Sequence, residues 1–253
     1  MVLIYQEYRE WTFQKTTMKS TKPLSDVIIS KIQHHYQYRK FLRVLEFIHQ
    51  MGIVEANQLF VLFGLTKAER DYLTKRTLLV AQKLVCKDYT INTYTLHRNA
   101  MYIIPNAPKR VDNYWLSYEV ENILQILTSI EFYILFSEGK NNVYIYGNVP
   151  PFPCKYIFNG KSLNIYVLRG VNYQFEDYLR ITLQQNNPNT LKRLMIICEN
   201  VDHLIPLVEN IEKSNLRVRI IDERYVSEEK GIEDAFFYIK NGQIIKEHIQ
   251  IQV

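Results

Sequence analysis

The sequence predicts an α+β protein, with an N-terminal part of three helices and a β-hairpin followed by a smaller α/β part. Apolar residues recur at helical spacing up to about residue 84 and at shorter, strand-like spacing from residue 143. The chain has 253 residues, of which 47% are hydrophobic and 23% charged, with only 8 Gly and 8 Pro. These values are typical of globular chains and exclude disordered and fibrous classes.

The N-terminal part is predicted to begin with an arm and to continue as helices. Residues 1–22 mix aromatic and charged residues and then become polar, which predicts a flexible arm. Gly52 and Gly64 are expected to end the first two helices. Thr66 and Glu69 have the spacing of a capping box at the start of the third. Apolar periodicity predicts these three helices over 38–50, 55–63 and 66–84.

A β-hairpin and a linking helix are predicted next. Residues 89–104 are rich in Tyr, Thr and Ile, which favour strands, and Asn92 is expected at the hairpin tip. A helical pattern over 114–136 predicts a helix that links the two parts. The expected arm, helical domain, linking helix and α/β domain are 1–22, 23–110, 111–140 and 141–253.

The C-terminal part alternates short strands with helices. Asn159-Gly160 and Asn241-Gly242 lie between strand-like runs, and such pairs favour hairpin turns because both residues tolerate a positive φ. Strands that alternate with helical patterns predict a layered α/β structure with three layers. The expected strands are 143–149, 155–158, 162–168, 194–198 and 218–221, with helices over 173–185 and 202–213 and a closing hairpin.

The sequence disfavours several kinds of site and location. Cys86, Cys154 and Cys198 are far apart and odd in number, so neither a disulfide framework nor a paired zinc site is predicted. His34 and His35 are adjacent and would point about 100° apart on a helix, which disfavours a metal site. No run approaches the roughly 18 uncharged residues of a spanning helix. We therefore expect a cytoplasmic chain with no membrane partner.

Catalytic motifs are also lacking. The sequence contains no G-x-S-x-G, G-x-G-x-x-G, Walker loop or H-E-x-x-H, so no cofactor or nucleotide site is predicted. Acidic residues remain near predicted element ends, where most such residues are caps or solvated: Glu176, Asp177, Glu199, Asp202, Asp222 and Glu223. The chain is expected not to be an enzyme, and no catalytic residue or metal ligand is assigned.

Positive charge is concentrated in the first half of the chain. Residues 1–113 contain 17 Lys and Arg against 9 Asp and Glu, whereas residues 114–253 contain 14 against 17. A cationic excess is what neutralising a phosphate backbone requires, and each contact releases condensed counterions. The alternative is an ordinary solvated face. The charge distribution therefore favours a nucleic-acid partner for the first half.

Three helices followed by a β-hairpin is the element order of the winged helix, a helix-turn-helix variant. The segment GIVEANQLFVLFGLT resembles the second helix and turn of winged-helix domains, and TLLVAQKLV resembles the leucine-patterned end of the third helix. The resemblance covers residues 38–104. It implies double-stranded DNA as a partner, with the third helix in the major groove and the hairpin on the flanking backbone.

Candidate contact residues follow from a helical wheel of the third helix. One arc is polar, and the opposite side carries Tyr72, Leu73, Leu79 and Val80. In the polar arc, Arg70 could bind guanine, and Thr74 could bond a phosphate or touch a thymine methyl group. Lys67 and Lys75 could bind phosphates, and Asp71 could select cytosine. The same residues could instead be solvated surface. The candidates on the helix are Lys67, Arg70, Asp71, Thr74 and Lys75, and those on the hairpin are Lys87, Asn92, His97 and Arg98.

The C-terminal part is similar to restriction-endonuclease-like cores, and its combination with a winged helix resembles the replication-relaxation family of plasmid and mobile-element proteins. That family has a Pro-Asp pair and an acidic pair on its first hairpin. Here Pro153-Cys154 and Ile165-Tyr166-Val167-Leu168 stand at those positions. Because Mg²⁺ needs hard oxygen ligands, the resemblance implies a degenerate, non-catalytic domain that serves oligomerisation or partner docking.

These observations together predict a DNA-binding protein of a bacterial plasmid or mobile element that acts in replication, DNA transfer or transcriptional control. A homodimer would let two recognition helices read half-sites about one DNA turn apart. The C-terminal domain is also expected to be able to bind another protein. Two alternatives stay open: a metal-dependent nuclease with a diverged active site, and a winged-helix adaptor that binds protein.

Overall fold

The chain folds as a mixed α+β protein in two compact units. The computed structural model describes residues 10–18, 23–87, 89–108, 111–137, 142–148, 150–168, 173–184, 193–214, 216–226 and 232–247. The N-terminal unit is Arg9–Leu127, and the C-terminal unit contains Thr128–Val253. The division falls inside the helix that was expected to link two domains. The C-terminal unit is no smaller than the N-terminal one, so the expectation of a smaller C-terminal part is wrong.

The N-terminal unit combines helices with a four-stranded antiparallel sheet of order β1-β3-β4-β2. Short 3₁₀ turns at Arg98–Tyr102 and Tyr114–Ser117 follow the sheet. The first part of helix α5 belongs to this unit and the rest to the C-terminal unit. In chain order the elements are β1 (Thr12–Gln14), α1 (Asp26–Gln33), α2 (Tyr38–Met51), β2 (Val54–Glu55), α3 (Ala56–Phe63), α4 (Lys67–Lys75), β3 (Leu79–Cys86), β4 (Tyr89–Leu96) and α5 (Val120–Ser137).

The third predicted helix is shorter than expected, because Leu79–Cys86 is a strand. Thr77 adopts a left-handed φ of +54°, which ends the helical path. After it, burial alternates along β3 with the period of two that a strand requires. The hairpin is therefore made of β3 and β4, and Asn92 pairs with Lys83 in mid-strand. The expected position of Asn92 at the tip is wrong.

The predicted flexible arm is in part a strand. Trp11 and Phe13 are buried, and β1 pairs with the edge of β3. The indole Nε1 of Trp115 donates to the Thr16 carbonyl oxygen over 3.0 Å. Burial of these two aromatic side chains, together with the strand pairing and the Trp115 hydrogen bond, offsets the entropic cost of ordering this part of the arm. The remaining arm residues, 1–9 and 19–22, lie outside the described residues.

The C-terminal unit is built on a seven-stranded mixed sheet of order β11-β10-β9-β8-β7-β6-β5. Strands β7, β8 and β9 are parallel and the other pairs antiparallel. The Asn159-Gly160 and Asn241-Gly242 turns have positive φ at both residues, which confirms both hairpins. The elements are β5 (Val143–Gly147), β6 (Cys154–Phe158), β7 (Lys161–Leu168), α6 (Tyr173–Gln184), β8 (Arg193–Cys198), α7 (Val208–Lys213), β9 (Arg217–Asp222), β10 (Phe236–Lys240) and β11 (Gln243–Lys246).

Helices cover both faces of this sheet, as expected for three layers. On one face, Tyr166 stacks on Phe175 of α6 with ring centroids 4.1 Å apart. On the other face, Phe136 of α5 contacts Tyr156 and Phe236. Pro206 lies in a 3₁₀ turn, Val201–Leu207, that precedes the short helix α7.

Helix α5 is 18 residues long and apolar enough to cross a membrane by length and composition alone. The helix contains Glu121 and Glu131, so it has no run of about 18 uncharged residues, in agreement with the sequence analysis. Its apolar window is 56% buried inside the protein, and this window includes the buried Glu131. Burial of this kind is typical of a core helix.

Candidate nucleic-acid interface

A short turn at residues 64–66 connects α3 to α4. Gly64 ends α3 in the left-handed region, with φ +62°, and its N–H donates to the Phe60 carbonyl over 2.7 Å. Leu65 in the turn is fully buried. The predicted capping box is confirmed, because the Thr66 N–H donates to Glu69 Oε2 over 2.7 Å and the Glu69 N–H donates to Thr66 Oγ1.

Lys40 of α2 binds both this turn and the first residues of α4. Its ammonium donates to Glu69 Oε1 at 2.5 Å and to the Gly64 carbonyl at 3.3 Å. Burial alone would raise the pKa of Glu69, but the hydrogen bonds from Lys40 and Thr66 outweigh it and lower the pKa below its usual value. The start of α4 is thus held by a charged network.

The outer side of α4 carries a row of three exposed residues. Lys67, Asp71 and Lys75 are spaced four residues apart, so they follow one another along one face. Leu73 on the opposite side is fully buried. We call these three residues the outer row; two cations and one carboxylate give it a net positive charge. The sequence analysis predicted all three on this face.

Two other predicted contact residues form hydrogen bonds within the protein. Arg70 is half-buried, and its Nη1 donates to the carbonyl oxygens of Leu65 at 2.6 Å and Ala56 at 3.4 Å. Its guanidinium lies 5.8 Å from the ring centre of Tyr94. Thr74 donates its hydroxyl to the Arg70 carbonyl over 2.9 Å. A contact from Arg70 to guanine would therefore have to replace bonds that join α4 to the start of α3.

The β3–β4 hairpin carries further exposed polar and cationic side chains. Lys83 and Asn92 are exposed and lie opposite each other in the register. Lys87 at the turn is exposed and forms a 2.6 Å ion pair with Glu10, a surface interaction that contributes little to stability. Tyr89 beside the turn is 67% exposed.

His97 and Arg98 are not part of this exposed set. His97 is buried, so the expectation that it lies at the surface of the hairpin is wrong. Its Nδ1 accepts the Asn99 N–H over 3.1 Å, as the cap of a 3₁₀ turn. Burial, with the charge of Arg98, lowers the pKa of His97. Arg98 itself forms a 3.1 Å ion pair with Asp112.

An aromatic cluster beside α4 was missed by the sequence analysis. The ring of Tyr72 on α4 is 5.1 Å from His35 and 5.7 Å from Phe41, and Arg76 lies 5.3 Å from its centre. Tyr36 stacks on the outer side of His35. The signal was available in the segment HHYQYRK, which was assessed only for metal binding.

The N-terminal unit, which contains the outer row and the hairpin, has a net positive charge. Residues 9–127 contain 17 Lys and Arg against 10 Asp and Glu, a net charge of +7. The residues of the C-terminal unit contain the remaining 14 Lys and Arg and 16 Asp and Glu, so the net charge of that unit is negative. The excess positive charge therefore belongs to the unit that contains α3, α4 and the β3–β4 hairpin.

In the C-terminal unit, the strand-end carboxylate of Asp222 is used internally. It is fully buried, accepts the Val201 N–H over 2.9 Å and pairs with Arg224 at 2.6 Å. Cys154 is fully buried opposite Ile165, and burial raises the pKa of its thiol to about 12. Among the described residues, no group of three or more His, Cys, Asp or Glu is arranged to hold a metal ion.

Comparison of the chain with protein-family models, curated proteins and solved structures finds no match.

Proposed function

We propose that the N-terminal unit is a winged-helix domain that binds double-stranded DNA through α4 and the β3–β4 hairpin. The observation that carries the proposal is the outer row of α4, directly followed by a hairpin with exposed Lys83, Lys87 and Asn92. Helices α2, α3 and α4 followed by this hairpin have the element order of the winged helix. The net charge of +7 supports a polyanionic partner.

The roles of the side chains follow from their chemistry. Lys67 and Lys75 bind phosphates at the two ends of the outer row, and Asp71 between them accepts a hydrogen bond from a cytosine amino group. Lys83 and Lys87 contact the flanking backbone. Arg70 joins α4 to the turn and to the start of α3, whereas Thr74 bonds the Arg70 carbonyl within α4; both are left out of the interface.

The proposal predicts a strong and specific salt dependence. Each phosphate contact contributes about −0.9 to the slope of log affinity against log salt concentration. Replacing both Lys67 and Lys75 with Ala removes two contacts, so the slope becomes about 2 less negative. The measurement is fluorescence anisotropy of a labelled 30-base-pair duplex titrated at several KCl concentrations.

A double variant of the C-terminal unit is the control. Lys161→Ala with Arg217→Ala removes the same charge from exposed positions outside the proposed interface. It should leave the slope within about 0.5 of wild type. Equal slopes for the two double variants would refute the assignment, and absence of duplex binding at low salt would favour the protein-adaptor alternative.

We propose further that the C-terminal unit is non-catalytic. Buried Cys154 and Ile165 occupy positions where the resembled family has carboxylates, and Asp222 is neutralised by Arg224. This leaves association with a second copy or another protein as its role, and β5 and β11 are the sheet edges. Cleavage of plasmid DNA by the purified chain with Mg²⁺ or Mn²⁺, absent from an Asp202→Asn and Glu199→Gln variant, would refute this.

A further inference from the structure

The most exposed large aromatic side chain of the described residues is Tyr36, in the loop between α1 and α2, with 87% of its surface open to solvent. One face of its ring stacks on His35, with centroids 4.6 Å apart and planes 29° apart. His35 in turn contacts Phe41 and Tyr72, at 5.0 and 5.1 Å. Because Phe41 is buried in the core, Tyr36 is the outer end of an anchored column of rings.

Hydrogen bonds hold the loop that carries this column. The Gln37 N–H donates to His35 Nδ1 over 3.1 Å, and Gln37 Nε2 donates to the Tyr36 hydroxyl over 3.0 Å. The ring of Tyr36 is therefore oriented before any ligand arrives, which lowers the entropic cost of binding. Such pre-organisation distinguishes it from an isolated surface tyrosine.

An open hollow of about 550 Å³ lies along the same loop. Its lining includes the exposed amide of Gln33 and the cations of Arg39 and Lys40. Lys40 is already paired with Glu69, but Arg39 is exposed and makes no ion pair among the described residues. The hollow thus combines an aromatic face, the amide of Gln33 and the positive charge of Arg39.

We propose that Tyr36 and Arg39 form a subsite for an unstacked nucleobase and its adjoining phosphate, in single-stranded DNA or at a gap. An aromatic ring can stack only on a base whose face is open, and a base inside a duplex has no open face. Stacking on aromatic side chains is the main mode of single-strand recognition, and cationic groups beside the rings bind the backbone. The exposed amide of Gln33 lies in the lining of the hollow, where it can bond a base edge.

This subsite rests on the proposed DNA-binding function and adds a second kind of DNA substrate to it. Tyr72 belongs to α4 and also touches His35, so one helix carries both the outer row and the inner part of the ring column. A ligand with a duplex beside an unpaired stretch could engage both. The structure therefore assigns to this unit a preference for junctions of double- and single-stranded DNA.

The test compares three probes with the full-length chain: a 20-base-pair duplex, the same duplex with a six-nucleotide single-stranded gap, and a 12-nucleotide single strand. The gapped and single-stranded probes carry 2-aminopurine, whose fluorescence falls when it stacks. Tyr36→Ala should weaken binding to both by at least about fivefold and abolish the fluorescence change. Its affinity for the duplex should stay within twofold of wild type.

Two further variants separate stacking from general effects. Tyr36→Phe keeps the ring and should retain affinity and fluorescence change, whereas Tyr102→Ala, at another exposed tyrosine of the same unit, should behave as wild type on all three probes. Arg39→Ala should reduce the salt slope on the single strand by about 0.7, the value of one phosphate contact.

The inference is overturned if Tyr36→Ala binds the gapped and single-stranded probes like wild type, or if it loses affinity equally for the duplex. It is also overturned if the wild-type chain binds no single strand. These results differ from failure of the proposed function, which would show as loss of duplex binding or as no effect of the Lys67 and Lys75 substitutions. Circular dichroism of each variant confirms that it is folded.

Discussion

Arg70 is the residue for which sequence and structure give opposite expectations, so its substitution is decisive. The helical wheel places it among DNA-contacting residues, whereas the structure gives its guanidinium carbonyl partners at Leu65 and Ala56. A hydrogen bond from a charged donor contributes about 1.5–3 kcal/mol, and a cation–π contact like that with Tyr94 about 0.5–1 kcal/mol. Because Arg70 is half-exposed, we take the lower end of each of these two ranges. We therefore expect Arg70→Ala to lower the free energy of unfolding by about 2 kcal/mol.

The assay is urea denaturation followed by far-ultraviolet circular dichroism, together with the DNA salt titration. Arg70→Lys keeps the charge but loses the planar fork, so it should lose nearly as much stability as Arg70→Ala. Lys75→Ala, on the same helix but exposed, should change stability by no more than about 0.5 kcal/mol. Unchanged stability of Arg70→Ala, with a loss of DNA affinity like that of Lys75→Ala, would refute the structural role.

Three further predictions concern the same unit. Gly52→Ala places a Cβ 2.3 Å from the Tyr118 hydroxyl at φ +89°, and it should lower the free energy of unfolding by at least about 2 kcal/mol. Gly64→Ala, also at positive φ but in open space, should lower it by about 1 kcal/mol; urea denaturation measures both. Phe13→Ala should cost about 3 kcal/mol if the arm is part of the fold; no loss would show that β1 is dispensable. The lowered pKa of His97 means that the unfolded chain binds more protons than the folded one below pH 6.5. The contribution of His97 to stability is therefore present above that pH and is lost as pH falls through the folded pKa. The melting temperature of His97→Gln should therefore change less with pH just below 6.5 than that of the wild-type chain. Identical curves of melting temperature against pH for the two chains would contradict this.

The helical N-terminal elements were predictable because their signals are local. The α2 helix and the Thr66 capping box each depend on residues within one or two turns, and the structure confirms both. Asn159-Gly160 likewise specifies its hairpin by its own conformational freedom. In these segments local preference and tertiary structure agree.

The strands β1 and β3 were not predictable in the same way. The segment TLLVAQKLV fits a helical period nearly as well as an alternating one, and the left-handed Thr77 that decides between them has no sequence signal. β1 is stabilised by pairing with β3, some 70 residues away in the chain. Non-local pairing of this kind is invisible to periodicity.

The candidate site was predictable only as a face of a helix. A wheel identifies which side chains share an arc, but it cannot show that the carbonyls of Leu65 and Ala56 lie within reach of Arg70 and not of Lys67. The Leu65 carbonyl lies in the turn between α3 and α4, outside both helices, and Arg70 of the following helix is close enough to bind it. Tyr36 was missed because its significance lies in the stack with His35.

The shortened α4 limits how much sequence the proposed interface can read. Nine residues rise about 13 Å, roughly the width of one major groove, and only three of them form the outer row. If Asp71 alone reads a base edge, discrimination is about 1–3 kcal/mol, far below the 4–10 kcal/mol by which specific sites exceed non-specific ones. In the proposed complex, the lysines of α4 and the hairpin would by contrast contribute affinity that is independent of sequence. A single copy should therefore bind most duplexes similarly, and real site selection requires a second copy on an adjacent half-site or the unstacked base proposed at Tyr36.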